Sequence, residues 1–143
     1  MTVIFSKKCE YGMQSVLYLA AQEAGTVVSA EIVSQVLKIP REFISKILQS
    51  LKDSGIICST KGKSGGFCLA KPASEIKLID IVEAIDGLEL FQSCVLGFPE
   101  CSPDTPCPVH DSWGALRTQA FEMLSNETLD KLKERTISKI NTL

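Results

Sequence analysis

Residues 29–70 read SAEIVSQVLKIPREFISKILQSLKDSGIICSTKGKSGGFCLA, and the punctuation of this stretch decides the fold. Ser29 suits the N-cap of a short helix through Leu37, because its hydroxyl can accept from an unpaired amide of the first turn. Ile32, Val33, Val36 and Leu37 give that helix its buried stripe. Lys38-Ile39 makes a tight turn, and Pro40 opens the next helix, where its missing amide costs nothing. The second helix is predicted to run to about Asp53, with Phe43, Ile44, Ile47, Leu48 and Leu51 inward. Its outer face carries Arg41, Glu42, Ser45, Lys46, Gln49 and Lys52. Two short helices across a tight turn, the second bearing polar side chains that suit a DNA groove, describe a helix-turn-helix.

Gly55 stops this recognition helix. Residues 56–60 and 67–70 then alternate as paired strands around the tip KGKSGG, residues 61–66. A helix-turn-helix followed by a basic, glycine-rich hairpin is a winged helix. Lys61, Lys63, Ser64, Gly65 and Gly66 are the expected backbone-contacting group, since lysines release phosphate counterions and glycines permit close approach. Arg41, Glu42, Ser45, Lys46 and Gln49 are the expected base readers. Cys58 and Cys68, in the wing strands, are expected to be small buried apolar residues.

Upstream, Met13, Val16, Leu17, Ala20, Ala21 and Ala24 recur at helical spacing, which predicts a helix over 8–24 ended by Gly25. Downstream, Lys71-Pro72 breaks the strand, and Leu78, Ile81, Val82 and Ile85 predict a short helix closed by Gly87. Helical spacing resumes near Asp111 with Trp113, Leu116, Ala120, Phe121, Met123 and Leu124. It continues through Leu129, Leu132, Ile137 and Ile140 after a re-capping at Ser125-Asn126. So long an apolar stripe is expected to meet a second copy of the chain in a two-fold dimer. The alternative is a helix folded back onto its own core. The expected divisions are a DNA-binding domain over 1–87, a cysteine-rich loop over 88–111 and a dimerisation helix over 112–143. The fold class is mainly α, with a small two-stranded β wing and a long C-terminal helix.

Between these parts lies CVLGFPECSPDTPCPVH, residues 94–110, which places Cys94, Cys101, Cys107 and His110 close together in sequence. Its prolines bar a long helix, so it is a loop, and a loop of this length needs something to hold its shape. A metal bound by thiolate and imidazole would do so.

The chain has 143 residues, enough for a packed domain without disulfides. The N-terminal MTVIFSKK has no apolar run of signal-peptide length, and no stretch suits a transmembrane helix. A cytoplasmic protein is therefore expected, its six cysteines reduced or metal-bound. A net charge of −2 argues against a general nucleic-acid coat protein. It permits a sequence-specific reader because the positive charge is local. Lys38, Arg41, Lys46, Lys52, Lys61 and Lys63 face only Glu42 and Asp53 in their stretch.

The segments SKKCEYGMQSVLYLA, IPREFISKILQSLKDSGII, KGKSGGFCLAKPASEIKLIDIVEAIDG and C…C…CPVHDSW together resemble the Rrf2-type family of bacterial transcription regulators over nearly the whole chain. The resemblance implies a homodimer whose recognition helices enter successive major grooves of a near-palindrome, with wings near the minor groove and long helices crossed at the interface. It implies that Cys94, Cys101 and Cys107 hold an iron–sulfur cluster, as in the family's IscR- and NsrR-like branches. His110 falls where the first branch places a ligand to a [2Fe–2S] cluster, which is the favoured type here. Glu10 falls where the second has an acidic ligand, given by the partner subunit to a [4Fe–4S] cluster. Two departures stand out. Six residues separate Cys94 from Cys101, where the family usually has five. Ser45 replaces a glutamate of the recognition helix, so the family's target sequence does not transfer.

The function expected is a DNA-binding regulator, read as a repressor, whose affinity follows a cluster that senses redox state, nitric oxide or iron–sulfur status. Zinc in the same Cys3His set is one alternative. A cysteine-based redox enzyme with Cys107 as nucleophile and His110 as base is another, but no third orienting group accompanies that pair. A metal-free regulator that docks a partner enzyme is a further reading, and the loop cysteines weigh against it. The chain is therefore read as a regulator and not as an enzyme.

Overall fold

The fold is that of a computed structural model describing residues 4–143. Residues 1–3, which begin both the expected DNA-binding domain and the segment read for a leader, lie outside the described residues. Helix α1 spans Lys7–Ala20, α2 Ala30–Leu37 and α3 Arg41–Asp53. Strands β1, Ile57–Thr60, and β2, Gly66–Leu69, form an antiparallel pair. Helix α4 covers Leu78–Ile85, α5 His110–Asn126 and α6 Lys133–Ile140.

The helix-turn-helix forms as its punctuation requires. The Ser29 hydroxyl accepts from the Ile32 amide at the head of α2. Lys38 closes the helix in the left-handed region at φ 57°, which turns the chain sharply before Pro40. Ile44, Ile47, Leu48 and Leu51 of α3 are buried with Val33 and Leu37 of α2 and Val16 and Leu19 of α1. This cluster is the main core. Ile32 and Phe43, both assigned to it, turn to solvent, at 46% and 50% exposed, and Val36 is only half-buried, outside it. Ile32 and Phe43 sit at the edge of their helical stripe, where one residue's step turns the side chain to solvent.

Helix α1 ends at Ala20, short of the expected 24. The cause is tertiary. Val28 pairs with Phe67 of β2, donating its amide to the Phe67 carbonyl at 2.9 Å and accepting in return at 2.7 Å. That pairing demands extended backbone before α2, so the helix stops and Gly25, at φ 86°, completes the turn. It also explains Gly66, where a Cβ would run into the Val28 carbonyl. Packing within the chain therefore requires glycine here whatever the wing touches.

A smaller core joins Cys9 of α1, Ile79 and Val82 of α4 and Leu124 of α5. Ser6 caps α1 and binds Asp86 just beyond α4, which pins the two helix ends together. The C-terminal region is divided. Helix α5 ends at Asn126, Leu129 enters the main core fully buried, and α6 lies back along α1 with Ile140 against the core. Leu116, Phe121 and Met123 of α5 stay exposed.

Candidate functional site

Two surfaces carry the candidate chemistry. The first is the outer side of α3 with the wing. Arg41, Glu42, Ser45, Lys46 and Gln49 are all exposed, on the side opposite the buried stripe. Contacts along the helix hold several of them: the Arg41 guanidinium reaches the Ser45 hydroxyl, and the Gln49 amide donates to Asp53 at 2.9 Å. Lys61, Lys63 and Ser64 are exposed at the wing tip, and Gly65 and Gly66 are partly covered. Exposed Phe43, beside Tyr11 at 6.5 Å between ring centroids, adjoins Lys7, Lys8 and Lys46. The apolar character of Phe43 alone pointed inward. The informative signal was that Ile44, Ile47, Leu48 and Leu51 already complete a stripe without it.

The second surface is the cysteine loop. The Sγ atoms of Cys94, Cys101 and Cys107 all lie within 4.8 Å of one another. His110 opens α5, donates its amide to the Cys107 carbonyl at 3.1 Å, and brings Nδ1 to 3.2 Å from the Cys101 sulfur. Three of the four expected ligands, the thiols, therefore converge within one chain, and the His110 imidazole lies beside the set, in contact with Cys101. Glu10 is on the first turn of α1, paired with Lys7 at 3.2 Å. It is not among the donors gathered at the three thiols.

The loop also has internal order. Ser102 and Thr105 form a turn in which the Thr105 amide donates to the Ser102 carbonyl at 3.1 Å. The Thr105 hydroxyl donates to the Glu100 carbonyl at 3.1 Å. Glu100, just before Cys101, adopts φ 56°. Trp113 Nε1 and Arg117 Nη1 both donate to the Ser93 carbonyl, at 2.8 and 3.2 Å. These two side chains of α5 clamp the chain just before Cys94; in the sequence Trp113 is marked only as part of the helical stripe, and Arg117 is not singled out. Their spacing of four residues places them one turn apart on a single helix face. A metal is thus not the sole source of shape for this loop.

Donor chemistry fits a thiophilic metal. Burial opposes the Cys94 thiolate, but the Phe98 and Leu96 amides and the Cys107 and Cys101 thiols outweigh it, lowering Cys94 to about 7. Cys107 is raised by burial and by its neighbouring thiols, against a favourable Val109 amide. Cys9 contrasts with both. Burial, then Asp86 and Glu10, push it up to about 12, and its side chain is inaccessible. In metal-free protein at pH 7, Cys94 is expected to alkylate more than about a hundredfold faster than Cys9, because the thiolate is the nucleophile. The Cys94 rate should fall as pH drops through about 7, where its thiolate takes up a proton. Time-resolved iodoacetamide labelling read by mass spectrometry checks both. Labelling of the two cysteines at equal rates would contradict this electrostatic picture.

The family model described as "Rrf2: Iron-dependent Transcriptional regulator" matches residues 5–135. A protein of Aquifex aeolicus named as an HTH-type transcriptional regulator is 34% identical over 132 residues, covering 91% of each chain. A Mycobacterium tuberculosis protein of the same description is 34% identical over 126 residues, 87% of this chain and 77% of that one. Among solved structures, CymR, the global cysteine regulator of B. subtilis, aligns with a TM-score of 0.76 at 21% identity. That alignment covers 94% of this chain and 98% of the other. T. potens IscR aligns at 0.72 and 24% identity over 94% and 88% of the two chains, and at these identities both structures speak for the fold. Regulators of this family bind DNA, and among the described residues no helix is long and apolar enough to cross a membrane. By the family match and by relatives over nearly its full length, this chain belongs to the Rrf2 family of transcriptional regulators.

Proposed function

We propose that this regulator acts as a homodimeric repressor whose grip on promoter DNA follows the occupancy of an iron–sulfur site at Cys94, Cys101, Cys107 and His110. The gathering of three thiols within 4.8 Å beside His110, at the head of α5, carries the reading. When bound, such a cluster supplies one-electron chemistry and sensitivity to oxidants or nitric oxide at its most weakly held iron. A [2Fe–2S] cluster suits the histidine, and a [4Fe–4S] cluster would call on Glu10 from the partner subunit.

The chain's own residues carry the rest. Cys94, Cys101 and Cys107 give thiolates, and His110 gives a nitrogen donor. Trp113 and Arg117 tie the loop's entry to α5, and His110 at the head of α5 ties the donor set to the same helix, so occupancy bears on how α5 leaves the loop. The exposed Leu116, Phe121 and Met123 of α5 are the proposed dimer contacts, so α5 in turn sets the separation of the two recognition helices. At the DNA, Arg41 favours guanine, Gln49 adenine, and Glu42 accepts from cytosine, with Ser45 and Lys46 beside them. Lys61, Lys63, Ser64, Gly65 and Gly66 meet the phosphate backbone.

One observation favours zinc as a second reading. Tetrahedral Zn–S bonds of about 2.3 Å place sulfurs roughly 3.8 Å apart, close to the compactness of this thiol set. Two thiolates on one iron of a cluster sit about as close, and only thiolates on different irons lie farther apart. Iron, zinc and sulfide content of protein purified without oxygen separates the two.

The DNA assignments have their own test, made on duplexes the protein selects from a random pool. Lys63→Ala is expected to weaken every sequence alike and to lower the salt slope by about 1. Gln49→Ala is expected to cost about 1–3 kcal/mol and relax preference at one position. Uniform loss from Gln49→Ala would show that α3 does not read bases.

A further inference from the structure

Two cysteines outside the loop face each other in the wing. Cys58 of β1 and Cys68 of β2 are directly opposed in register, with Sγ atoms 2.8 Å apart. They were expected to be buried apolar residues, and both are in fact half-exposed. Strand alternation gives the reason. Ile57, Phe67 and Leu69 turn to the core, so Cys58 and Cys68 share the outer face. Phe67 gives both its amide and its carbonyl to Val28, away from β1, which makes Ser59–Phe67 a non-hydrogen-bonded pair. Cys58–Cys68 is then its hydrogen-bonded neighbour, for which Cα atoms stand about 5.5 Å apart. That falls inside the roughly 4.4–6.8 Å that a disulfide spans, so the strands need not move apart or slide to form one.

We propose that Cys58 and Cys68 form a dithiol–disulfide couple in the wing, closed by low-molecular-weight disulfides and separate from the thiols of the loop. In the first step the Cys58 thiolate attacks one sulfur of the small disulfide. That S–S bond breaks, one small thiolate leaves, and a mixed disulfide forms. Cys68 then attacks the Cys58 sulfur and expels the second thiolate. The wing thiols lose two electrons and two protons in all, and the small disulfide is reduced to two thiols. The hydrogen bond with Cys58, then burial, pushes Cys68 up to about 11, which suits it to resolve the mixed disulfide and not to open the reaction. Closure fixes the two strands at mid-length, directly below the Lys61–Ser64 tip. The chemistry stands whether or not the loop holds a metal and whether or not the wing touches DNA.

The test uses the full chain in oxygen-free mixtures of glutathione and glutathione disulfide, with free thiols then alkylated. Trypsin cuts at Lys61 and Lys63, which lie between the two cysteines, so closure appears as a pair of linked peptides that reductant separates. The linked pair is expected to become the major form at the oxidised end of the series. It should persist when Cys94, Cys101 and Cys107 are all serine. In Cys68→Ser, Cys58 should stop at the mixed disulfide with glutathione. If Cys58 and Cys68 both remain alkylatable, or if the wild-type protein stops at the mixed disulfide, the proposal is overturned.

Discussion

Cys107→Ala is expected to empty the loop site and change operator affinity while leaving the metal-free fold intact. Cys107 is one of the three converging thiols beside His110, so its loss leaves two thiols and the neighbouring imidazole. Loss of a supporting group around a metal typically costs 10–100-fold in affinity, and loss of a ligand is expected to exceed roughly a hundredfold. The loop's backbone should hold. The Cys107 carbonyl still accepts from the His110 amide, the Ser102–Thr105 turn remains, and Trp113 and Arg117 still clamp Ser93. Far-UV circular dichroism and melting of metal-free protein should therefore match wild type. Operator affinity should move toward that of stripped wild-type protein, a shift of about 5–150-fold for couplings of the usual size. Metal content equal to wild type would show that Cys107 is not a ligand.

Leu48→Ala is expected to be among the most destabilising single changes in the DNA reader. Leu48 is fully buried in the core that α3 shares with α1 and α2. Removing its isobutyl group leaves a cavity that the surrounding helices fill only in part, which typically costs about 2–5 kcal/mol. For a chain of this size that corresponds to a fall in melting temperature of roughly 5–20 °C. Because Leu48 seats the helix that carries exposed Ser45 and Gln49, the surviving folded protein should also bind DNA more weakly. Leu48→Met, which conserves volume, should lose less than about 1.5 kcal/mol. Equal effects from both substitutions would argue that the α3 core is loosely packed.

Much of this architecture is legible in residues 29–70. Ser29, Lys38, Pro40 and Gly55 mark helix ends by backbone chemistry that acts within a few residues, and each acts where it was read. Stripe centres such as Ile44, Ile47, Leu48 and Leu51 are equally local, since helical periodicity fixes their direction. Stripe edges are not local. Ile32 and Phe43 are apolar, but whether such a residue is covered depends on what lies across from it. The end of α1 was misread for a similar reason, because the Val28–Phe67 pairing that stops it joins segments far apart in sequence.

The candidate site divides in the same way. The four donors of the loop could be named from residue type, and the convergence of its three thiols rests on turns that sequence hints at only faintly. Ser102, Thr105 and left-handed Glu100 shape that convergence, and Trp113 and Arg117 anchor it from the next helix. The wing cysteines show the limit most clearly. Alternation places Cys58 and Cys68 correctly in strands, but only the register sets them face to face, and a shift of one residue would part them. The C-terminal stretch was readable as helix with a break at Ser125-Asn126. The return of α6 onto α1 follows from Leu129 and Ile140 reaching the main core, a long-range contact that periodicity alone does not encode.

The central claim is that loop occupancy governs DNA binding, and a matched pair of titrations tests it most directly. One sample is purified and kept without oxygen, with its metal and sulfide content measured; the other is the same protein stripped by chelator. Both are titrated with the selected operator at one salt concentration. The account expects affinities that differ by at least about fivefold, with the stripped sample restored on reloading. Equal affinities at equal salt would contradict it.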